Sequence, residues 1–340
     1  MPSAHRSHLL SLVDALRSQR VAVVGDLIAD EFIYGQIARV SREAPVLILN
    51  YDSTEIVPGG AGNAAANVAA LGGSVRAVGL AGRDDAGRRL VETLKRRGVD
   101  VRKMVRPAGY RTPTKTRILA GGIHSAKQQV VRIDRAATPS VSEAARASFE
   151  AQVLAAVKDC TALLVSDYGS GLVTPRLVSD AQSRLNGRAR TKTVLVDSRY
   201  ALLRYRGMTA STPNESEVEQ ALGIRIGDNV RALERAGRTV LKVTRSKAVL
   251  VTRGSRGMAL FEPDRPTVHI PIVGSDQIAD VTGAGDTVIA TMTLALAAGG
   301  TLEEAAHLAN YAGGIVVMKR GTATVSAAEL RHAITTDDSN

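Results

Sequence analysis

Five short runs of β-branched and apolar residues punctuate the chain: VAVVG (Val21–Gly25), VRAVG (Val75–Gly79), ALLVS (Ala162–Ser166), TVLVD (Thr193–Asp197) and AVLVT (Ala248–Thr252). Strands this continuously apolar belong in a sheet covered on both faces. Helical segments alternate with them, at Gly62–Leu71, Asp85–Arg97, Glu143–Lys158, Pro175–Leu185 and Val230–Val243. Two more close the pattern, near Ala284–Ala298 and Leu302–Lys319. Alternating strands and helices predict an α/β fold with a doubly wound, mostly parallel sheet and helices on both faces. The 340 residues suit one such domain spanning the chain.

Two stretches break the rhythm. Phe32–Val57 and Thr112–Arg135 alternate like strands without an intervening helix, and the second turns at Gly121–Gly122. Strands inserted at the ends of parallel strands predict a small second sheet over the carboxyl edge, where ligands bind in such folds. A lid sheet of this kind has exposed edges and one apolar face. Pairing with a second copy covers both, so a homodimer through the lid is expected.

Composition narrows the class. Apolar residues make up 44% of the chain, enough for a sizeable core. The single cysteine, Cys160, excludes a disulfide framework within one chain and fits a reducing cytoplasm. No signal peptide is recognisable, because the first twenty residues read as a polar-faced helix. The longest nearly apolar run, Val288–Ala298, is too short to cross a bilayer. A net charge of +11, with 35 arginines against 9 lysines, invites a nucleic-acid reading. The arginines are spread along the chain, however, and aromatic residues are only 3%, so stacking platforms are scarce. Neither nucleic acid nor membrane is expected as a partner.

The chemistry concentrates in four motifs. In DVTGAGDTV (Asp280–Val288), Gly283 and Gly285 flank Ala284 and permit a sharp turn into a helix. Unpartnered N–H groups there form an anion cradle. An acid beside that cradle, Asp286, makes sense as a base that deprotonates an attacking hydroxyl. The bland alternative is an N-cap aspartate. In VPGGAGN (Val57–Asn63), Gly59 and Gly60 allow close backbone approach and Asn63 can donate and accept hydrogen bonds. Gly60, Gly62 and Ala65 also match a dinucleotide fingerprint, but one displaced from the first strand, which leads instead to Asp26. In STPNESE (Ser211–Glu217), Asn214 and Glu217 have capping-box spacing and could alternatively face nucleotide phosphates and magnesium. VTRGSRG (Val251–Gly257) is a hairpin turn or a nucleotide-facing loop. No Walker motif, H-E-x-x-H or G-x-S-x-G occurs.

Together DVTGAGDT, PGGAGN and TPNESE resemble the signatures of the PfkB/ribokinase family of carbohydrate kinases, from about Val21 to Leu330. Within it the chain looks most like the D-glycero-D-manno-heptose 7-phosphate kinases. ARVSREAPVLIL, KQQVVRIDR, LLVSDYGSGLVT, RYRGMTASTPNESE and KRGTATVS carry that likeness. One departure is VDSRY (Val196–Tyr200), where those kinases tend to read VDPKG. No nucleotidyltransferase segment follows before Asn340, so a stand-alone kinase is expected.

The resemblance implies ATP and Mg²⁺ as cofactors, a small sugar phosphate as acceptor, and K⁺ near carbonyls of Asp280 and Thr282. It implies that Asp286 is the base and that the Gly283, Ala284 and Gly285 N–H groups stabilise the moving phosphoryl group. Asn214 and Glu217 would organise ATP and Mg²⁺, with Glu217 acting through water. Thr252, Gly254 and Gly257 would line the nucleotide, with Asn310 and Gly313 near adenine. Asp26, Gly59, Gly60 and Asn63 would hold sugar hydroxyls. Arg39, Arg42, Lys115, Arg117, Arg132 and Arg199 are the candidate partners of an acceptor phosphate, of which two or three are expected to touch it. Alternatives remain: a PfkB-family kinase for ribose, fructose or a similar sugar, an NAD-dependent oxidoreductase, and a sugar-phosphate sensor, which would have no use for Asp286.

Overall fold

The structure is a computed structural model and describes residues 3–121, 127–136, 141–185, 193–273, 280–319 and 321–337. Its first half runs α1 (Ser3–Ala15), β1 (Arg20–Gly25), β2 (Leu27–Val40), β3 (Leu47–Gly60), α2 (Ala61–Ala70), β4 (Ser74–Val78), α3 (Asp85–Arg96), β5 (Thr114–Gly121), β6 (Gln128–Arg135) and α4 (Glu143–Ala156). There follow β7 (Ala162–Asp167), α5 (Pro175–Arg184), β8 (Thr193–Ser198), β9 (Ala210–Ser211), α6 (Glu215–Leu222) and α7 (Val230–Thr244). The chain closes with β10 (Ala248–Thr252), β11 (Met258–Phe261), β12 (Val268–Ile270), α8 (Ala284–Ala297), α9 (Leu302–Val317) and α10 (Ala327–Thr336).

The main sheet has the order β12-β11-β10-β9-β8-β7-β1-β4. From β4 to β10 the pairing is parallel, and β11 and β12 add an antiparallel edge. The unbroken apolar strands have their reason here. In β1, Val21 and Val23 point into the core built by α1, α2, α8 and α9, while Ala22 and Val24 point into the core of α4 and α5. β10 does the same, with Ala248 and Leu250 on one side and Val249 and Val251 against α7 on the other. Each fully buried Val or Leu contributes about 1.5–3 kcal/mol by leaving water.

The second sheet has the order β3-β2-β5-β6. Both of its long strands extend beyond the Phe32–Val57 expected for the lid. β2 starts at Leu27 and β3 ends at Gly60, paired along nearly their whole length with shifts near Tyr34 and Ile37. The expected turn at Gly122 lies outside the described residues. Among the described residues, no helix is long and apolar enough to cross a membrane.

Candidate active site

Strand ends and helix starts converge at the carboxyl edge of the main sheet, as the crossover geometry of parallel strands requires. α8 begins there. Gly283 is its cap at φ 81°, so Asp286 lies in the first turn and is not the N-cap. The capping alternative for Asp286 therefore falls away. Its carboxylate is 4% exposed and accepts from Asn63 Nδ2 at 2.9 Å and from the Tyr168 hydroxyl at 3.3 Å. Burial pushes its pKa up to about 7, against the opposing pull of the Asn63 hydrogen bond. A carboxylate poised near neutrality is suited to general-base work.

Two cavities meet beside Asp286. One, of about 390 Å³, is lined by Asn214, Thr252, Gly254, Gly257, Asn310 and Gly313 together with Met258, Ile272, Val273, Val288 and Val317. Every nucleotide-lining residue expected from the sequence except Glu217 is on its wall. Asn310 is itself anchored, donating from Nδ2 to the Pro271 carbonyl at 2.7 Å. A side chain at Gly257 (φ 75°) would strike the Ile270 carbonyl, whereas one at Gly313 would enter only ordinary contact with Val288 and Met258. The VTRGSRG segment forms the β10–β11 hairpin that the sequence allowed, and its turn lines this cavity.

The second cavity, of about 490 Å³, holds Asp286, Gly283, Gly285, Glu217, Asp197 and Tyr168 opposite Lys115, Arg117, Arg132 and Arg199. Asn214, Thr252, Val281 and Gly285 line both spaces, so they join at the start of α8. The capping box at α6 is real: Asn214 Oδ1 accepts from Glu217 N and Glu217 Oε2 accepts from Asn214 N, each at 2.9 Å. The structural reading of that motif holds, and both residues also line the second cavity. Burial raises the Glu217 carboxyl. Burial, then the nearby Glu217 and Asp286 charges, raise Asp197 well above the usual carboxylate range. Oxygen donors held in mutual repulsion fit a hard cation such as magnesium, which would relieve that repulsion.

Several expected site residues take other roles. Arg42 is exposed between β2 and β3, and neither it nor exposed Arg39 lines the cavity. The reason is reach: twelve residues of strand at about 3.3 Å each carry Arg39 far from the root of the lid at Leu27. Arg117 does line the cavity, but its Nη1 pairs with buried Asp30 Oδ1 at 2.6 Å and its guanidinium lies over Phe32. A buried carboxylate needs such a partner, so Arg117 anchors the lid through this pair. Arg132 pairs with Asp134 at the surface. Burial lowers the Lys115 pKa, and Arg132, Arg199 and Arg117 lower it further.

The residues expected to face the sugar are engaged within the fold. Asn63 is fully buried, and its Nδ2 donates to the Asp286 carboxylate. Both Asp26 oxygens are engaged: Oδ2 accepts from Tyr168 N at 2.8 Å and Oδ1 from the Ser170 hydroxyl. Room left by Gly59 is taken by the Asp30 carboxylate, and Gly60 (φ 56°) lies close against the Asp26 carbonyl and the Tyr168 ring. Asp26, Gly59 and Gly60 do not line the second cavity. Asp280 fastens its loop, accepting from Thr282 N at 2.8 Å and Gly321 N at 3.0 Å. Only main-chain carbonyls there are left to serve a monovalent cation.

The model of the pfkB family of carbohydrate kinases matches residues 18–329. The chain belongs to that family. Curated relatives of this pfkB kinase include the bifunctional protein HldE of Azorhizobium caulinodans, 39% identical over 319 residues, which cover 92% of this chain and 64% of the relative. The bifunctional protein HldE of Caulobacter vibrioides is 40% identical over 326 residues, 95% of this chain and 65% of the relative. This chain thus spans just under two thirds of their length. Among solved structures, Arabidopsis thaliana ribokinase complexed with ribose and ATP superposes with a TM-score of 0.71 at 19% identity, covering 93% of this chain and 98% of that one. Escherichia coli phosphofructokinase-2 with substrates and products gives 0.74 at 22%, with the same coverages. The fold is ribokinase-like.

Among the wall residues of this pfkB kinase's second cavity that reasoning from sequence missed are Asp167, Tyr168 and Asp197. A signal was present. ALLVSD and TVLVD both end in an acid at the carboxyl edge, the place where such folds bind ligands. Asp167, also on that wall, accepts from Ser198 Oγ at 2.8 Å and the Tyr205 hydroxyl at 2.7 Å.

Proposed function

We propose that this chain transfers the γ-phosphoryl group of ATP to the anomeric hydroxyl of D-glycero-D-manno-heptose 7-phosphate, giving the 1,7-bisphosphate. The observation that carries the reading is the junction of the two cavities at Gly285, beside Asp286, one space largely apolar and the other lined by four basic and four acidic side chains. ATP lies with its base among Met258, Val288, Asn310 and Gly313 and its phosphates toward the start of α8. The acceptor occupies the second space, its hydroxyl at Asp286 and its phosphate toward Lys115 and Arg199.

Asp286 takes the hydroxyl proton as the oxygen attacks phosphorus. The N–H groups of Gly283 and Gly285 stabilise the charge on the moving group, whereas that of Ala284 donates to the Val281 carbonyl at 3.2 Å. Magnesium supplies charge neutralisation along the nucleotide phosphates, and Asp197 and Glu217 are the carboxylates that would hold it, Glu217 through water. Main-chain carbonyls at Asp280 and Thr282 are the proposed seat of a potassium ion. The lid sheet is the proposed dimer contact, and an ATP-using enzyme of this kind works in the cytoplasm.

Identities of 38–40% to HldE proteins across most of the chain support a heptose kinase. The cationic wall favours a phosphorylated acceptor over ribose or fructose. Turnover of ATP across a panel of sugars and sugar phosphates, with products identified, tests the reading. Equal use of phosphorylated and plain sugars would overturn the choice of acceptor.

A further inference from the structure

Tyr168 belongs to none of the signature motifs, yet it stands between the two ends of the proposed acceptor. Its hydroxyl donates to Asp286 Oδ1 at 3.3 Å. Its ring lies under the Lys115 ammonium, 5.1 Å from Nζ to the ring centroid. Its backbone N–H is fixed by Asp26 Oδ2 at 2.8 Å, and the ring edge rests against the Cα of Gly60, where a Cβ would come within 3.3 Å of Cε2. Base and cation therefore touch opposite parts of one rigid side chain, and all three residues line the same cavity.

We propose that Tyr168 is a positioning and specificity residue: its hydroxyl orients Asp286 for proton abstraction, and its ring seats Lys115 to receive an anionic group on the acceptor. The proposal rests on the sugar-phosphate kinase reading. The two functions reside in separate atoms. With Asn63 on Oδ2 and Tyr168 on Oδ1, the carboxylate cannot rotate about its last bond without losing a donor. The ring face seats Lys115 together with the more distant charge of Asp30, and the ammonium keeps its attraction for a ligand anion because neither makes a direct ion pair with it.

The experiment compares Tyr168→Phe with Tyr168→Leu, using heptose 7-phosphate and unphosphorylated heptose. Phe keeps the ring and loses the hydroxyl. It should lower kcat about 10-fold, the low end for a bond to a charged group at this length, and leave the acceptor KM unchanged. Leu loses both. It should lower kcat similarly and also raise KM for heptose 7-phosphate about 3- to 10-fold, while KM for plain heptose and for ATP stays constant. An unchanged ATP KM shows that the variants are folded. If Phe retains wild-type kcat, the orienting role is wrong. If Leu shifts KM equally for both sugars, the specificity role is wrong. A wild-type enzyme that makes no distinction between the two sugars would instead sink the acceptor assignment and leave the kcat comparison standing.

Discussion

Asn63, in the first turn of α2, donates its side-chain N–H to the carboxylate of Asp286, in the first turn of α8, at 2.9 Å. The bond ties together the two glycine turns of the chain. A side chain at Gly283 would sit 2.5 Å from Asn63 Nδ2 and break it. Asn63→Ala should leave ATP affinity intact and lower kcat. Because the Asn63 hydrogen bond pulls the Asp286 pKa down, its loss should also move the acidic limb of kcat/KM upward. A pH–rate profile of this variant decides the point: an unmoved limb would mean that Asn63 does not act through Asp286.

Asp286→Asn should preserve ATP binding and reduce kcat by about 10²–10⁴, the range for losing a general base. Wild-type activity should fall as pH drops through the value near 7. The stability sign is the reverse of the usual aspartate. Asp286 is raised in the folded state from an ordinary value of 3.8, so ionisation is penalised there and costs folding energy as pH climbs from about 4 to 7. The Asn variant escapes that cost. Thermal melts at pH 5 and pH 8 should show its advantage over wild type growing with pH.

The cations of the second cavity should separate by role. Lys115→Met or Arg199→Ala should raise KM for the phosphorylated acceptor, by roughly 10- to 150-fold for a true charge-assisted contact. Arg42→Ala, at the exposed tip, should do nothing. Steady-state kinetics with both acceptors distinguish these outcomes.

Arg117→Ala should act on stability first. It leaves Asp30 buried without its partner, a cost of about 3–5 kcal/mol. Asp30→Ala combined with Arg117→Ala should recover part of the loss, measured as Tm. A single variant as stable as wild type would show that the pair is not a structural anchor.

The lid carries Ile37, Val40, Leu47, Tyr51, Val131 and Ile133 as exposed apolar side chains, Tyr51 at 68%. So large an apolar surface predicts a homodimer at micromolar concentration. Light scattering should show a dimer for wild type and a monomer for Val131→Lys with Ile133→Lys. A monomeric wild type would end that proposal.

The parallel strands were legible because burial on both faces demands an unbroken apolar run, as in Val21–Val24. Helix starts were legible where capping chemistry is local, as at Asn214 and Glu217. Both kinds of signal lie within a few residues. Tyr168 and Asp197 have no such local mark, and their value comes from meeting α8 across the sheet edge. The arginines show the same limit. Nothing near Arg117 in sequence says that Asp30 will claim it, and nothing near Arg42 reveals how far β2 runs beyond the cavity. Asn63 was recognised as functional, but its partner lies 223 residues away.

β2 begins one residue after β1 ends, and β3 runs directly into α2, so no linker peptide separates the lid from the main sheet. Mechanically the lid is a cantilever clamped at Asp26 and Gly60. Asp26 holds the backbone of Tyr168, and Gly60 packs against its ring. Force applied at the distant tip would therefore reach Tyr168, the side chain that donates to Asp286. A second subunit gripping that tip would act on the active site through a long lever arm, with no contact of its own near Asp286.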